Sequence, residues 1–130
     1  MNRTHWSDIY VGEPYLPQVG DCAALAVRVS FEQFGIKAEL PLDHATKLRD
    51  QAQQILDLKD DLAVKIHEAQ DGCAALFITR GRICHIGVMC WIQSEWWVLH
   101  ADQTVGFVVR QRLRELTRLH YRLEGFYKWK

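Results

Sequence analysis

Val19-Gly20-Asp21-Cys22-Ala23-Ala24-Leu25-Ala26-Val27 sets a cysteine between a turn and an apolar run with helical spacing. Asp21 is a good N-cap residue, so a helix is expected to open at Cys22. Its apolar positions Leu25, Val29 and Phe34 recur at near-helical spacing, and Gly35 stops it. A helix N-terminus favours negative charge, so a cysteine in the first turn is biased toward the thiolate, its nucleophilic form. A lone cysteine in a helix is most often core packing. The polar, helix-opening context is what separates Cys22 from Cys73, Cys84 and Cys90, which lie in apolar strand-like segments.

Outward from this point the chain divides into two halves. Gly12 to Gly20 reads as a loop rich in turn residues. Pro41-Leu42-Asp43 opens a second helix, with Leu48, Ala52, Ile55, Leu56 and Leu62 as its apolar stripe. After Asp71-Gly72 the pattern turns to strands: Ala74 to Thr79, Ile83 to Ile92, Trp96 to Ala101, Thr104 to Val109 and Tyr121 to Tyr127, with a short helix over Arg110 to Thr117. Helices first and antiparallel strands after them give an α+β class, with N-terminal helices packed on a central antiparallel β-sheet.

Composition narrows the classes of function. At 130 residues the chain is expected to form a single domain, residues 1–130. Apolar residues make up 48% and charged residues 25%, ordinary values for a globular domain. Sixteen Lys and Arg balance sixteen Asp and Glu, which argues against nucleic acid held by bulk electrostatics and against a polybasic membrane signal. The polar start, Met1 to Asp8, carries no apolar core of a signal peptide, so synthesis in the cytoplasm is expected. No apolar run approaches the ~18 residues of a membrane span, so no membrane insertion is expected. The four cysteines form no C-x-x-C pair and read as free thiols.

The chemistry-bearing residues after Cys22 are histidines on strands: His85-Ile86-Gly87-Val88, then Leu99-His100-Ala101-Asp102. If Gln93-Ser94 is a two-residue turn, Ile92 pairs with Glu95 and Gly87 falls opposite His100. His85 and His100 are then diagonal neighbours on one face; a three-residue loop would part them. In a hydrolase built on these residues, Cys22 attacks a carbonyl, His85 holds its proton and delivers it to the leaving amine, and His100 orients the imidazole. Asp102 is a rival orienter. The Cys22 backbone N–H and the Tyr15 hydroxyl are candidate oxyanion donors. Each also has a plain structural reading: a satisfied core histidine, or a tyrosine closing a loop. Trp91, Trp96, Trp97 and Trp129 read as packing, although one could wall a cleft. His5, His44, His67 and His120 are given no role. A zinc site from Cys73, Cys84, His85 and Cys90 lacks paired-ligand spacing, and no metal or cofactor is expected.

In order, these motifs resemble the NlpC-type cysteine peptidases, a papain-like family that cleaves peptidoglycan stem peptides. The matching pieces are Tyr15, Gly20-Asp21-Cys22 with small residues behind it, His85-Ile86-Gly87-Val88 and Leu99-His100-Ala101. Trp6 to Tyr15 (WSDIYVGEPY), Phe34-Gly35-Ile36 with Pro41, Gly106 to Val109 and Leu123 to Trp129 are similar to versions found in bacteriophage tails. The resemblance implies Cys22 as nucleophile, His85 as base and His100 as third polar residue, with Tyr15 and Asp21 as accessory positions near the nucleophile. It implies cleavage of an amide bond in the stem peptide, typically between D-glutamate and diaminopimelate. The implied partners are phage tail proteins, and the implied setting is a virion tail acting in the periplasm or cell wall. The family's Ser-Gly after the cysteine is Ala23-Ala24 here, and its double glycine before it is reduced to Gly20. An amidase, deamidase or acyltransferase effector on the same fold, or a non-catalytic tail-assembly protein, are the alternatives.

Overall fold

The structure is a computed structural model. It describes residues 5–16, 22–37, 63–79, 82–102 and 104–129, with residues 82–84 described as backbone only. Asp21 and the expected second helix lie outside the described residues.

Helix α1 runs Cys22–Phe34, as the spacing predicts. Gly35 takes a φ of +68°, and its N–H donates to the Phe31 carbonyl, closing the last turn in a conformation that costs glycine little. Ahead of it, Trp6–Tyr10 forms a 3-10 turn. It is held by a reciprocal cap: the Ser7 N–H donates to His5 and the His5 N–H donates to Asp8.

Six strands follow among the described residues: β1 (Ala63–Ile66), β2 (Ala74–Thr79), β3 (Arg82–Ile92), β4 (Glu95–Asp102), β5 (Phe107–Arg112) and β6 (Arg122–Trp129). They form one antiparallel sheet in the order β1-β6-β2-β3-β4-β5. The α+β class stands in this coarse form. A four-residue helix α2 (Leu113–Leu116) links β5 to β6 and is shorter than the segment expected there. β5 also starts later than expected. Val105 and Gly106 are consumed by the β4–β5 turn, where Gly106 takes a φ of +89° and donates to the Asp102 carbonyl.

The β3–β4 hairpin positions the site. Gln93 and Ser94 both have positive φ, 50° and 64°, the requirement of a two-residue type I′ turn. Ile92 pairs with Glu95, and the ladder continues through Trp91↔Trp96 to Val88↔Leu99. Residues of even number on β3 and odd number on β4 share one face. Ile86, Val88, Cys90, Leu99 and Ala101 pack there with Leu25, Ala26 and Val29 of α1. Phe77, Met89, Val98 and Leu116 of α2 form a second cluster on the other face. His85 and His100 point to that second face, by the same alternation.

Candidate functional site

His85 Nε2 and His100 Nδ1 are 2.9 Å apart, and His100 Nε2 lies 2.8 Å from Gln111 Oε1. The Gln111 carbonyl oxygen only accepts, so His100 donates to it from Nε2. A neutral His100 then accepts at Nδ1, so His85 must donate from Nε2. The chain of hydrogen bonds thereby fixes both tautomers and leaves the His85 Nδ1 with a lone pair. Among the described residues nothing hydrogen-bonds that nitrogen. Both imidazoles are buried, His100 fully. Burial, reinforced by the neighbouring His100, holds the His85 pKa well below the usual histidine value. Burial also lowers that of His100, against the Gln111 hydrogen bond, which favours its charged form. Both shifts favour the neutral rings, and the hydrogen-bond chain leaves His85 Nδ1 as the nitrogen without a proton.

Aromatic rings confine the pair. Tyr121, on the loop after α2, lies with its ring centroid 5.0 Å from that of His85 and 6.0 Å from that of His100. Phe77 of β2 sits 6.3 Å from His85. Gly87 is cut to fit the same packing: a Cβ there would stand 2.3 Å from Val98 Cγ1.

Of the residues singled out in the sequence, His85 and His100 are brought together. Cys22 is the first residue of α1 and is buried, and the inward side chains of that helix pack on the opposite face of the sheet from the histidines. Asp102 does not reach for an imidazole. Its Oδ1 accepts the Thr104 and Val105 N–H groups at 2.9 and 3.3 Å and shapes the β4–β5 turn. Tyr15 is half-buried against the α1-side core, and its N–H donates to the Gly106 carbonyl beside the Pro14–Phe107 bridge. Asp21 lies outside the described residues. Gln111 was not singled out, because it falls in the segment expected to be a short helix; that segment instead begins in β5, where Gln111 faces the same side as Val109, the cross-strand partner of His100.

The other described thiols differ from a nucleophile. Burial pushes the Cys73 thiol up, and that of Cys90 up to about 12. Cys73 and Cys90 belong to clusters on opposite faces, so they do not converge with His85 on a metal. Among the described residues no group of His, Cys, Asp and Glu is arranged to hold one, and no helix is long and apolar enough to cross a membrane.

No family model matches the chain, and no curated protein or solved structure resembles it at a significant level.

Proposed function

We propose that the protein is an NlpC-type, papain-like cysteine hydrolase that cleaves an amide bond of the peptidoglycan stem peptide and works with phage tail proteins during cell-wall penetration. The observation that supports it best is the Gln111–His100–His85 chain, which leaves a neutral imidazole with a free Nδ1 lone pair. In this reading the Cys22 thiol gives its proton to His85 Nδ1 and attacks the carbonyl, and the Cys22 backbone N–H helps to bind the oxyanion. His85 then protonates the leaving amine, and water enters to release the acyl group. Tyr15 and Asp21 would line the substrate side, and no cofactor takes part. The reading requires Cys22 and His85 to meet where α1 begins and β3 has just entered the sheet, around the end of the strand rather than through it.

A second reading is favoured by the side-chain alternation. A histidine pair enclosed by Phe77 and Tyr121, on the face away from α1, suits a tail-assembly protein that keeps the pair as a structural hydrogen bond.

Alkylation separates the two. Iodoacetamide labelling across pH, read peptide by peptide in a mass spectrometer, should show Cys22 reacting well below the ordinary thiol pKa of ~8.5. His85→Ala should remove that advantage, and Cys22→Ala should abolish hydrolysis of peptidoglycan fragments with the fold intact. A Cys22 whose labelling ignores His85→Ala would sink the hydrolase and leave the structural reading.

A further inference from the structure

The histidine face carries a second feature at the other end of the hairpin. Trp91 and Trp96 stand side by side, ring centroids 4.8 Å apart and planes inclined at 58°. Trp91 lies six residues along β3 from His85 on the same face, a distance of about 20 Å at the strand rise. Around the two indoles an open groove of about 640 Å³ takes in His67 and Glu68 after β1, Asp71 before β2, and Phe126 on β6. That volume is in the range of about 300–1,000 Å³ typical of sites for small molecules. From β6 to β4 the groove crosses three inter-strand steps, roughly 14 Å, which is room for more than one sugar ring.

Cross-strand packing explains why Trp91 and Trp96 touch. It does not explain why Trp91 stays 47% exposed, or why Phe126, His67 and Glu68 converge on it from the far side of the sheet. The groove is also built to hold its shape. The Asp71 carboxylate accepts the Trp91 backbone N–H at 2.8 Å and the Trp6 indole N–H at 2.9 Å, and it pairs with His5 Nε2 at 3.1 Å. Asp71 is thus occupied as a clamp. Glu68 and His67 are exposed, and neither makes a hydrogen bond among the described residues.

We propose that this groove binds a carbohydrate chain, with pyranose rings laid on Trp91 and Trp96 and their hydroxyl or acetamido groups hydrogen-bonded to Glu68 and His67. The C–H face of a pyranose is apolar and slightly positive, so it suits the negative face of an indole. Its rim of hydroxyls needs acceptors and donors placed beside the ring, not above it. A cage for an organic cation would instead set carboxylates against the rings; Asp71 is already taken by three donors, which leaves the exposed Glu68 as the one carboxylate open to a cation, and the tetramethylammonium arm below decides that alternative. The choice of sugar rests on the peptidoglycan reading above: the ligand is then the N-acetylated glycan strand, gripped some distance from the stem peptide being cut.

Tryptophan fluorescence titration with chitotetraose tests the site, with tetramethylammonium as a separate arm. A saturable response to chitotetraose is expected. Trp91→Ala and Glu68→Gln should each weaken it at least tenfold, with circular dichroism and the Cys22 labelling profile unchanged. No saturable response at millimolar chitotetraose, an undiminished response in both variants, or a response to tetramethylammonium alone would overturn the proposal. Since neither variant touches Cys22 or the histidines, sugar binding without a reactive Cys22 would retire the hydrolase and keep the groove, and the reverse outcome would do the opposite.

Discussion

The two faces of the sheet are built to different standards. The face under α1 is closed by a thirteen-residue helix, and its core is Tyr10, Leu25, Val29, Ile86, Val88, Leu99 and Val108. Its one buried hydroxyl on α1, Ser30, is satisfied by the Ala26 carbonyl at 2.9 Å. Among the described residues the other face is closed by four-residue α2 and the loop bearing Tyr121, and a hydrogen-bonded His–His–Gln row interrupts its apolar cluster. Apolar burial scales with area and is insensitive to direction, so the helix-covered face holds the domain together. A buried polar row contributes little net stability but fixes geometry and proton positions, because each lost partner leaves a desolvated group behind. The larger apolar core and the hydrogen-bonded polar row thus lie on opposite sides of the same strands.

The largest effect that would break this division is a cavity on the helix-covered face. Leu99 of β4 is fully buried in the cluster beneath α1, and Leu99→Ala should cost about 2–5 kcal/mol, read by urea denaturation. The tautomers of the His85–His100 pair should survive in the fraction that stays folded. On the histidine face, Gly87→Ala places a methyl 2.3 Å from Val98 Cγ1 and 3.4 Å from Phe77 Cε2. Val98 is itself fully buried and stiff at χ1, so overpacking of about 1–3 kcal/mol is expected. A Gly87→Ala variant as stable as wild type would mean that this face is loosely filled, and the contrast between the faces would blur.

Acid should discriminate the faces next. Both histidines have folded-state pKa values below the ordinary 6.5. The unfolded chain therefore binds more protons as pH falls through 6.5, and stability drops with it. Each histidine contributes a slope of up to about 1.4 kcal/mol per pH unit between its folded and unfolded pKa. Denaturation midpoints from pH 8 to pH 5 should fall more steeply for wild type than for His85→Gln with His100→Gln. Equal slopes would place the acid sensitivity elsewhere.

What the sequence disclosed follows from the same physics. Helix α1 was legible because Gly35 ends an uninterrupted apolar period, and the hairpin because a two-residue turn dictates its register by counting. From that register alone His85 and His100 had to be neighbours. β1 was not legible, since Ala63-Val64-Lys65-Ile66 is too short to show alternation and gains its place only by pairing with the last strand, sixty residues on. The partner of His100 was missed for a related reason. Asp102, two residues along the same strand, reads from the sequence only as a rival to His100 for orienting His85, and no partner for His100 itself is named there. Asp102 instead serves the turn that it begins, while Gln111 arrives from β5, where nothing local marks it. The side of the sheet on which α1 lies was not encoded in any spacing between Cys22 and His85.

The smallest expected effect is the sharpest test of the histidine row. Gln111 is half-buried at the sheet edge, and its carbonyl oxygen is what commits His100 to Nε2–H. Gln111→Leu leaves that N–H without its acceptor, at a cost of about 1–3 kcal/mol unless the proton moves. If His100 shifts its proton to Nδ1, the hydrogen bond to His85 reverses. His85 must then accept at Nε2 and carry its own proton on Nδ1, the atom that would serve as base. Gln111→Glu keeps an acceptor and should keep the original order. Nitrogen-15 chemical shifts of the imidazoles read this directly. In wild type and Gln111→Glu, His85 Nδ1 should resonate as unprotonated and Nε2 as protonated, and Gln111→Leu should exchange the two. Unchanged shifts in Gln111→Leu would show that the burial of the pair, not the amide on β5, sets where its protons sit.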